Sequence, residues 1–592
     1  MTDVFNFLLS QSFLTRALIV GVLVSLCCAL LGVSLVLKRF SMIGDGLSHV
    51  GFGAMAIACV SNIAPLYFAL PIVLVAAFLL LRMNEKGKIK GDAAIALIST
   101  GALAVGIMVT SMTTGMNVDI YNYMFGSILT MSGDDVVITA IVSVVIIALF
   151  VLFYNEIFAV TFDESFARAT GTKVSVYNML IAGFTAVTIV IGMRMMGALL
   201  ISSLIIFPAV TSMRLCKSFR SVIISSTAVS VICFIAGLVF SVRFEAPTGA
   251  SVVCINICVL LAFMLIAKIN SFIKNNSVKK LFTSAAFVVL AVVFGFTAVY
   301  PGGEFNEKEK LTVITTGFAS YDFARQLVKD KGEVIMLLSP GEESHTYEPT
   351  PADIVAIRQS DVFICGGGES EQWAERILDG IESSISVVRM MDAVQPVEHV
   401  HEHDGEGEEA SHDEHGVYDE HVWTSPVNAK FIVGGICDAI CAVDKENEDF
   451  YRANEQEYLM KLDALDRNFR DIGKSAEGKY AVIGDRFPLR YLMLEYGFEY
   501  ISAFPGCSAQ VEVNPVTIAD INNRIKKDEI PVVFKVDLSN GTVAASISEE
   551  TGARVDTLYS CHVVSAEDLE GGETYISLMT RNLNALKRAF DY

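Results

Sequence analysis

The stretch LFTSAAFVVLAVVFGFTAVYPGGEFNEKEKLTVITTGFASYDFARQLV, residues 281–328, separates two physically different halves of the chain. Residues 281–300 carry no charged side chain and are long enough to cross a hydrocarbon layer as a helix. PGGEFNEKEK, residues 301–310, reads as a polar linker, and LTVITTGFASYDFARQLV then reads as a strand, a turn and a helix. Composition changes at the same place. Residues 1–300 hold 18 Lys/Arg and 11 Asp/Glu, a net of +7, whereas residues 301–592 hold 26 and 54, a net of -28. The whole chain is 53% hydrophobic with a mean hydropathy of +0.51, which excludes both a wholly soluble enzyme and a disordered chain. Its acidic balance excludes a basic nucleic-acid binder.

Ten apolar runs are expected to span a membrane: 14–37, 42–60, 64–81, 91–111, 134–153, 175–193, 195–213, 221–241, 249–268 and 281–300. Gly192, Arg194 and Gly197 mark the boundary between the sixth and seventh. With the N-terminus outside, the connections on the inner face hold Lys38, Arg39, Arg82, Lys86, Lys88, Lys90, Arg168, Lys173, Arg214, Lys217, Arg220 and the lysines of 268–280. The outer connections hold little beyond Arg194 and Arg243, as the positive-inside rule requires. Tyr300 then emerges outside, and the acidic half faces the exterior. The start lacks a basic n-region, so no cleavable signal peptide is expected.

Within the membrane half, SMIGDGLSHVGFGA places Asp45 and His49 four residues apart, on one helix face. Ionisable groups inside a span are costly and mark a pathway by default. Gly44, Gly46, Ser48, Gly51, Gly53 and Ala54 permit close helix approach. FDESFARATGTK, residues 162–173, is a compact polar loop, helical up to Gly171, suited to docking a soluble partner. Pro208 in MGALLISSLIIFPAVTS is expected to bend or break its helix. No GxxxxGK[ST] phosphate loop is present, so any ATP-driven step needs another polypeptide.

The second half reads as α/β in two lobes. VIMLL (334–338), DVFICGGG (361–368), YAVIGDRF (480–487), FEYISAF (498–504) and PVVFKVD (531–537) are expected strands. The segment 446–476 is expected to be a long helix joining the lobes. His345 in GEESHTYEPTPAD, His421 in YDEHVWTSP, Asp485 after YAVIG and Asp537 after VVFK lie near the carboxyl ends of strands, where open α/β sheets bind ligands. Two imidazoles and two carboxylates suit zinc, and manganese or iron accept the same set. EHVHEHDGEGEEASHDEHGVYDEH, residues 398–421, carries six of the nine histidines: His399, His401, His403, His412, His415 and His421. Such a segment cannot form a core and reads as a metal-attracting loop, its imidazole density favouring zinc. Cys507 and Cys561 are a candidate disulfide in an oxidising exterior, while Cys437 and Cys441 fit a reduced core helix. His562 is read as structural.

Over roughly 10–270 the chain resembles the permease subunits of zinc/manganese-type ABC importers, in VLKRFSMIGDGLSHVGFGAMAIA, the GSIL segment after Asn122, FARATGTKVSVYNML and MGALLISSLIIFPAV. Over roughly 311–590 it resembles their metal-specific solute-binding proteins, in TGFASYDFARQL, LLSPGEESHTYEPTPAD, DEHVWTSP, the FPGCSA stretch and ETYISLMTRNLNAL. The resemblance implies an all-α polytopic permease (1–270) and a two-lobed α/β solute-binding domain (311–592) with a long linking helix; the added anchor helix (271–300) and linker (301–310), read from the residues, depart from the family by joining these normally separate parts. It implies a permease homodimer served by a separate ABC ATPase that couples at Phe166, Arg168 and Gly171, with Asp45 and His49 on the ion pathway. It also implies His345, His421, Asp485 and Asp537 as metal ligands. Asp485 falls at or one position from the expected third ligand, with Arg486 as the competing alignment.

The expected function is therefore import of zinc as substrate by a receptor tethered to its own permease in a bacterial plasma membrane. Manganese or iron import by the same architecture is the alternative. A membrane-anchored metal sensor is a second, and a metallohydrolase, for which no HExxH or nucleophile elbow speaks, a third.

Overall fold

A computed structural model of the chain describes residues 12–61, 63, 65–85, 91–112, 128–131, 133–244, 246–272, 310–342, 347–380, 385–395, 418–476, 478–504 and 515–590. The chain divides into two compact units, Met1–Phe305 with Glu348–Ile354, and Asn306–Tyr347 with Val355–Tyr592.

The first unit contains the long helices Ser12–Leu37, Ile43–Val60, Pro65–Glu85, Gly91–Met112, Gly133–Leu152, Val174–Met196, Ala198–Leu215, Phe219–Phe244 and Thr248–Phe272. Each coincides with one of the first nine expected spans. The tenth, 281–300, and most of the linker 301–310 lie outside the described residues. At about 1.5 Å per residue the shortest of these helices still reaches about 27 Å. Gly133–Leu152 leaves Val137, Ile138, Ile141, Val144 and Val145 exposed, as a helix solvated by lipid does. Close approach depends on glycine where Ile43–Val60 crosses Gly91–Met112: a Cβ on Gly53 would lie 2.5 Å from the Ala102 carbonyl oxygen. Gly197, at φ 82°, separates Val174–Met196 from Ala198–Leu215, the break expected between the sixth and seventh spans. The helix around Pro208 is not broken; it runs on to Leu215 with the proline buried inside it. Buried helices tolerate proline when neighbours re-satisfy the freed backbone.

The second unit holds eight strands: β1 (Leu311–Thr315), β2 (Gly332–Met336), β3 (Val362–Cys365), β4 (Ser386–Arg389), β5 (Tyr480–Ile483), β6 (Glu499–Ser502), β7 (Val532–Val536) and β8 (Arg554–Leu558). They form two all-parallel sheets in the orders β2-β1-β3-β4 and β6-β5-β7-β8. The two lobes thus repeat one topology. Sequence reading anticipates six of these strands and passes over β4 and β8. Both are edge strands with half-exposed faces, so SVVR and RVDTL lack the apolar run that marks a central strand.

The helix Glu448–Ser475 is the expected connection. Its buried stripe, Tyr451, Asn454, Tyr458, Leu462, Leu465, Phe469 and Ile472, recurs at helical spacing and faces one core that includes residues of both sheets. Pro426–Val443 is long and apolar enough to cross a membrane by composition alone. Here Ala429, Ile432, Val433, Ile436, Cys437 and Ile440 are fully buried in the same core, and Lys430 pairs with Asp463 of the long helix. It is a core helix of an α/β unit.

The tightest junction of the second unit is Asp322, fully buried on the helix Phe318–Val328. Its carboxylate accepts from Arg325 Nε (2.7 Å), the Tyr575 backbone N–H (2.8 Å) and the Tyr458 hydroxyl (3.2 Å). These donors belong to three different helices. Replacing Asp322 with Ala strands a partly buried guanidinium and a buried N–H, at a cost of about 3 kcal/mol. Both tryptophans, Trp373 and Trp423, lie in this unit. Urea unfolding of the full chain followed by tryptophan emission should show the corresponding drop in midpoint.

Candidate metal centre

In the first unit, Asp45 and His49 sit on one face of Ile43–Val60, with Nε2 and Oδ2 3.7 Å apart. The Ser48 hydroxyl donates to the Asp45 carbonyl at 2.7 Å. The helix Glu164–Ala169 carries Phe166 and Arg168. Asp163 caps it, accepting from the N–H groups of Ser165 and Phe166 at 2.9 and 3.0 Å. Phe166 stands 63% exposed, and Gly171, at φ +88°, turns the chain out of the helix.

In the second unit Asp485 and Asp537 of the expected ligands follow β5 and β7. His345 lies outside the described residues, as do His399, His401, His403, His412, His415 and Cys507. His421 is buried, at the start of the turn Val422–Thr424. Buried Asp419 holds it, one carboxylate oxygen accepting from both the His421 backbone N–H and Nδ1 at 2.9 Å. Arg490 Nε lies 3.8 Å from the other Asp419 oxygen, and the Tyr491 hydroxyl donates to the Asp419 carbonyl. Engagement of Nδ1 directs metal ligation to Nε2 and fixes the ring plane.

His562, read from sequence as structural, lies at the same place. Its ring centre is 5.4 Å from that of His421 and 5.0 Å from that of Trp423. Its carbonyl accepts from Phe318 N–H, just past β1, while Trp423 Nε1 donates to the Ser560 carbonyl and the Tyr575 hydroxyl to the Trp423 carbonyl. The turn that follows His421 and the turn after β8 are thereby stitched together. The only sequence signal for His562 was a histidine just past a strand end, and β8 itself was not read as a strand. Asp419 stands first in the quoted stretch DEHVWTSP, but nothing in the sequence marked its contact with His421.

Asp485 and Asp537 end β5 and β7 as expected. Asp485 uses both oxygens on backbone N–H groups, of Arg486 (2.9 Å) and Val536 (3.3 Å). Asp537 accepts from Ser560 N–H at 2.8 Å. Among the described residues no three His, Cys, Asp or Glu side chains lie close enough together to hold a metal. Two more carboxylates are buried, Glu420 beside His421 in sequence and Glu371. Glu420 accepts from Ser370 N–H, and Glu371 from Gly366 N–H. Burial pushes the Glu371 carboxyl above its ordinary range, against the opposing pull of Thr316 and Gly366. Cys561 is a fully buried thiol, raised well above its usual pKa by burial and by the nearby Asp537 and Asp322. Cys437 and Cys441 are buried in the core helix, their sulfurs 3.9 Å apart.

Comparison with known proteins assigns both units. Residues 10–267 match the ABC 3 transport family, and residues 313–589 match the zinc-uptake complex component A, periplasmic family. The high-affinity zinc uptake system protein ZnuA of Bacillus subtilis (strain 168) is 32% identical over 311 residues, covering 52% of this chain and 96% of that protein. The zinc-binding lipoprotein AdcA of Streptococcus pneumoniae serotype 4 is 28% identical over 290 residues, 48% of this chain; the match spans only 58% of AdcA. The manganese transport system membrane protein MntC of Halalkalibacterium halodurans is 28% identical over 255 residues, 43% of this chain and 87% of that protein. Both families are transporter subunits rather than enzymes.

Asp419→Asn keeps the shape of the His421 loop but removes the carboxylate that orients its ring. Metal affinity should fall about 10- to 100-fold with folding intact. Zinc titration read by emission of Trp423, whose ring centre is 5.5 Å from that of His421, measures it.

Proposed function

We propose, for a chain that belongs to the zinc-uptake complex component A family and carries an ABC 3 transport family domain ahead of it, that it imports zinc: its second unit captures the ion and its first conducts it. The observation that carries this reading is the pair of buried imidazoles, His421 and His562, held edge to face where the two lobes meet. Nitrogen ligands select borderline-soft zinc over the oxygen-preferring cations.

His345, His421 and His562 supply the nitrogens in this reading, and Asp537, by accepting from Ser560 N–H, holds the turn that carries His562. Asp485, expected as a ligand, instead ties the end of β5 to β7 through its two backbone contacts. The acidic, histidine-rich run 398–421 gathers zinc near the site, since carboxylates attract cations and neutral imidazoles bind them reversibly. Joining receptor and permease in one chain keeps the receptor at high effective concentration beside its permease. Zinc then passes Asp45 and His49. A separate ABC ATPase subunit supplies the energy from the cytoplasmic side, docking at Phe166 and Arg168 with Gly171 closing the loop. Two copies of the permease unit line one pathway. The chain is a multi-pass membrane protein whose receptor unit is extracytoplasmic, and no step involves nucleic acid. Manganese import is the second reading, favoured by the likeness to MntC.

Zinc uptake into vesicles holding the chain and its ATPase should require ATP. His421→Ala and His562→Ala should each lower zinc affinity about 100-fold, on the scale of a lost direct ligand, whereas Asp485→Asn should change it by less than about 5-fold. Unchanged affinity in His562→Ala would remove that residue from the ligand set. Manganese displacing zinc at equal concentration would overturn the choice of ion.

Deleting 399–415 should slow uptake only when zinc is scarce. Saturable binding at the main site should persist in equilibrium dialysis; its loss would mean that the loop is itself the site.

A further inference from the structure

The inner end of the first helix is tied to the coupling loop by a buried cation. Lys38, just past Ser12–Leu37, has a side chain only 8% exposed. Its Nζ donates to Glu164 Oε1 at 2.7 Å and to Asn178 Oδ1 at 2.6 Å. Asn178 Nδ2 closes the triangle on Glu164 Oε1 at 3.2 Å. Glu164 is the first residue of the helix that carries Phe166 and Arg168, and Asn178 is buried one turn into Val174–Met196. Burial alone would raise the Glu164 carboxyl, but the Lys38 ammonium outweighs it and holds the carboxyl below its usual range.

The turn after Lys38 is rigid. Lys38 N–H bonds the Ser34 carbonyl, Phe40 N–H the Leu35 carbonyl and Ile43 N–H the Phe40 carbonyl, with Arg39 at φ +63°. Ile43–Val60 begins at once, with Asp45 in its first turn. A push on Glu164–Ala169 is therefore delivered through one ammonium group to the base of the helix bearing Asp45 and His49. A desolvated ammonium has no low-cost alternative arrangement, so the three elements move together or the cation loses its partners.

We infer that Lys38, bridging Glu164 and Asn178, is the positioning residue that couples motion of the Glu164–Ala169 helix to the Asp45–His49 helix. The inference rests on the import reading above. Without Lys38, the Asn178–Glu164 bond still fastens the coupling helix to Val174–Met196. Docking of the ATPase therefore survives while the link to the Asp45 helix is cut.

The test uses the full chain assembled with its ATPase in liposomes, comparing Lys38→Met, Lys38→Arg, Glu164→Gln and the exchange Lys38→Glu/Glu164→Lys. One readout is zinc taken up per ATP hydrolysed. The other, independent of zinc, is the effect of ATP on maleimide labelling of Met42→Cys in the exposed part of the turn, corrected for the chain lacking that cysteine. In Lys38→Met, ATP hydrolysis should stay within about 2-fold of wild type while uptake per ATP falls about 10-fold or more. The ATP effect on labelling should vanish, and Lys38→Arg and the exchange should restore both readouts. An unchanged ratio, or a labelling response that persists in Lys38→Met, overturns the inference. If Lys38→Met does not assemble, the labelling response of Glu164→Gln decides: a wild-type response overturns the inference, and a lost one supports it. Absence of ATP-driven zinc uptake in wild type would defeat the import reading alone, since labelling still judges the link.

Discussion

One buried carboxylate sets the geometry of the receptor unit. Asp322 satisfies a guanidinium from its own helix, the first N–H of the C-terminal helix and a tyrosine of the long linking helix. Few groups can answer three donors at once, and a buried ionised carboxylate is tolerable only when it does. The C-terminal helix it holds begins at Tyr575, whose hydroxyl secures the Trp423 carbonyl. Trp423 in turn secures the turn that presents His562. A buried carboxylate is thus linked, through Tyr575 and Trp423, to the turns that carry the two imidazoles.

The two sheets explain why a site forms there. Each lobe is a four-stranded parallel sheet of the same strand order, and parallel strands end together. At their carboxyl ends lie irregular turns and the N-termini of the following helices, whose free N–H groups can hold polar side chains. Thr316 and Gly317 follow β1, Asp485 follows β5, Asp537 follows β7 and His562 follows β8. The shared core along Glu448–Ser475 makes the lobes one packed body at this level, so a ligand between them meets a largely preformed surface.

The membrane unit follows a different physical rule. With lipid as solvent, apolar residues carry no directional information, and the helices find one another through small residues and a few polar contacts. Gly53 against the Ala102 backbone is one such contact. Arg194 of Val174–Met196 pairing with Asp135 of Gly133–Leu152 is another. The Lys38–Glu164–Asn178 triangle is a third, and it joins elements more than a hundred residues apart.

Hydropathy and charge alone determined nine of the helices and the long connecting helix, because length, polarity and a 3.6-residue stripe are local properties. Six strands and the placement of Asp485 and Asp537 at strand ends were legible for the same reason. The edge strands β4 and β8 were not, since half-exposed strands lack a distinctive pattern. The core helix expected around Cys437 and Cys441 is Pro426–Val443, although by length and apolarity alone such a helix reads alike in a protein interior and in lipid. His562 and Asp419 are decided by tertiary structure. A histidine becomes a partner of another 141 residues away only when two separate turns are brought together, and no local pattern encodes that meeting.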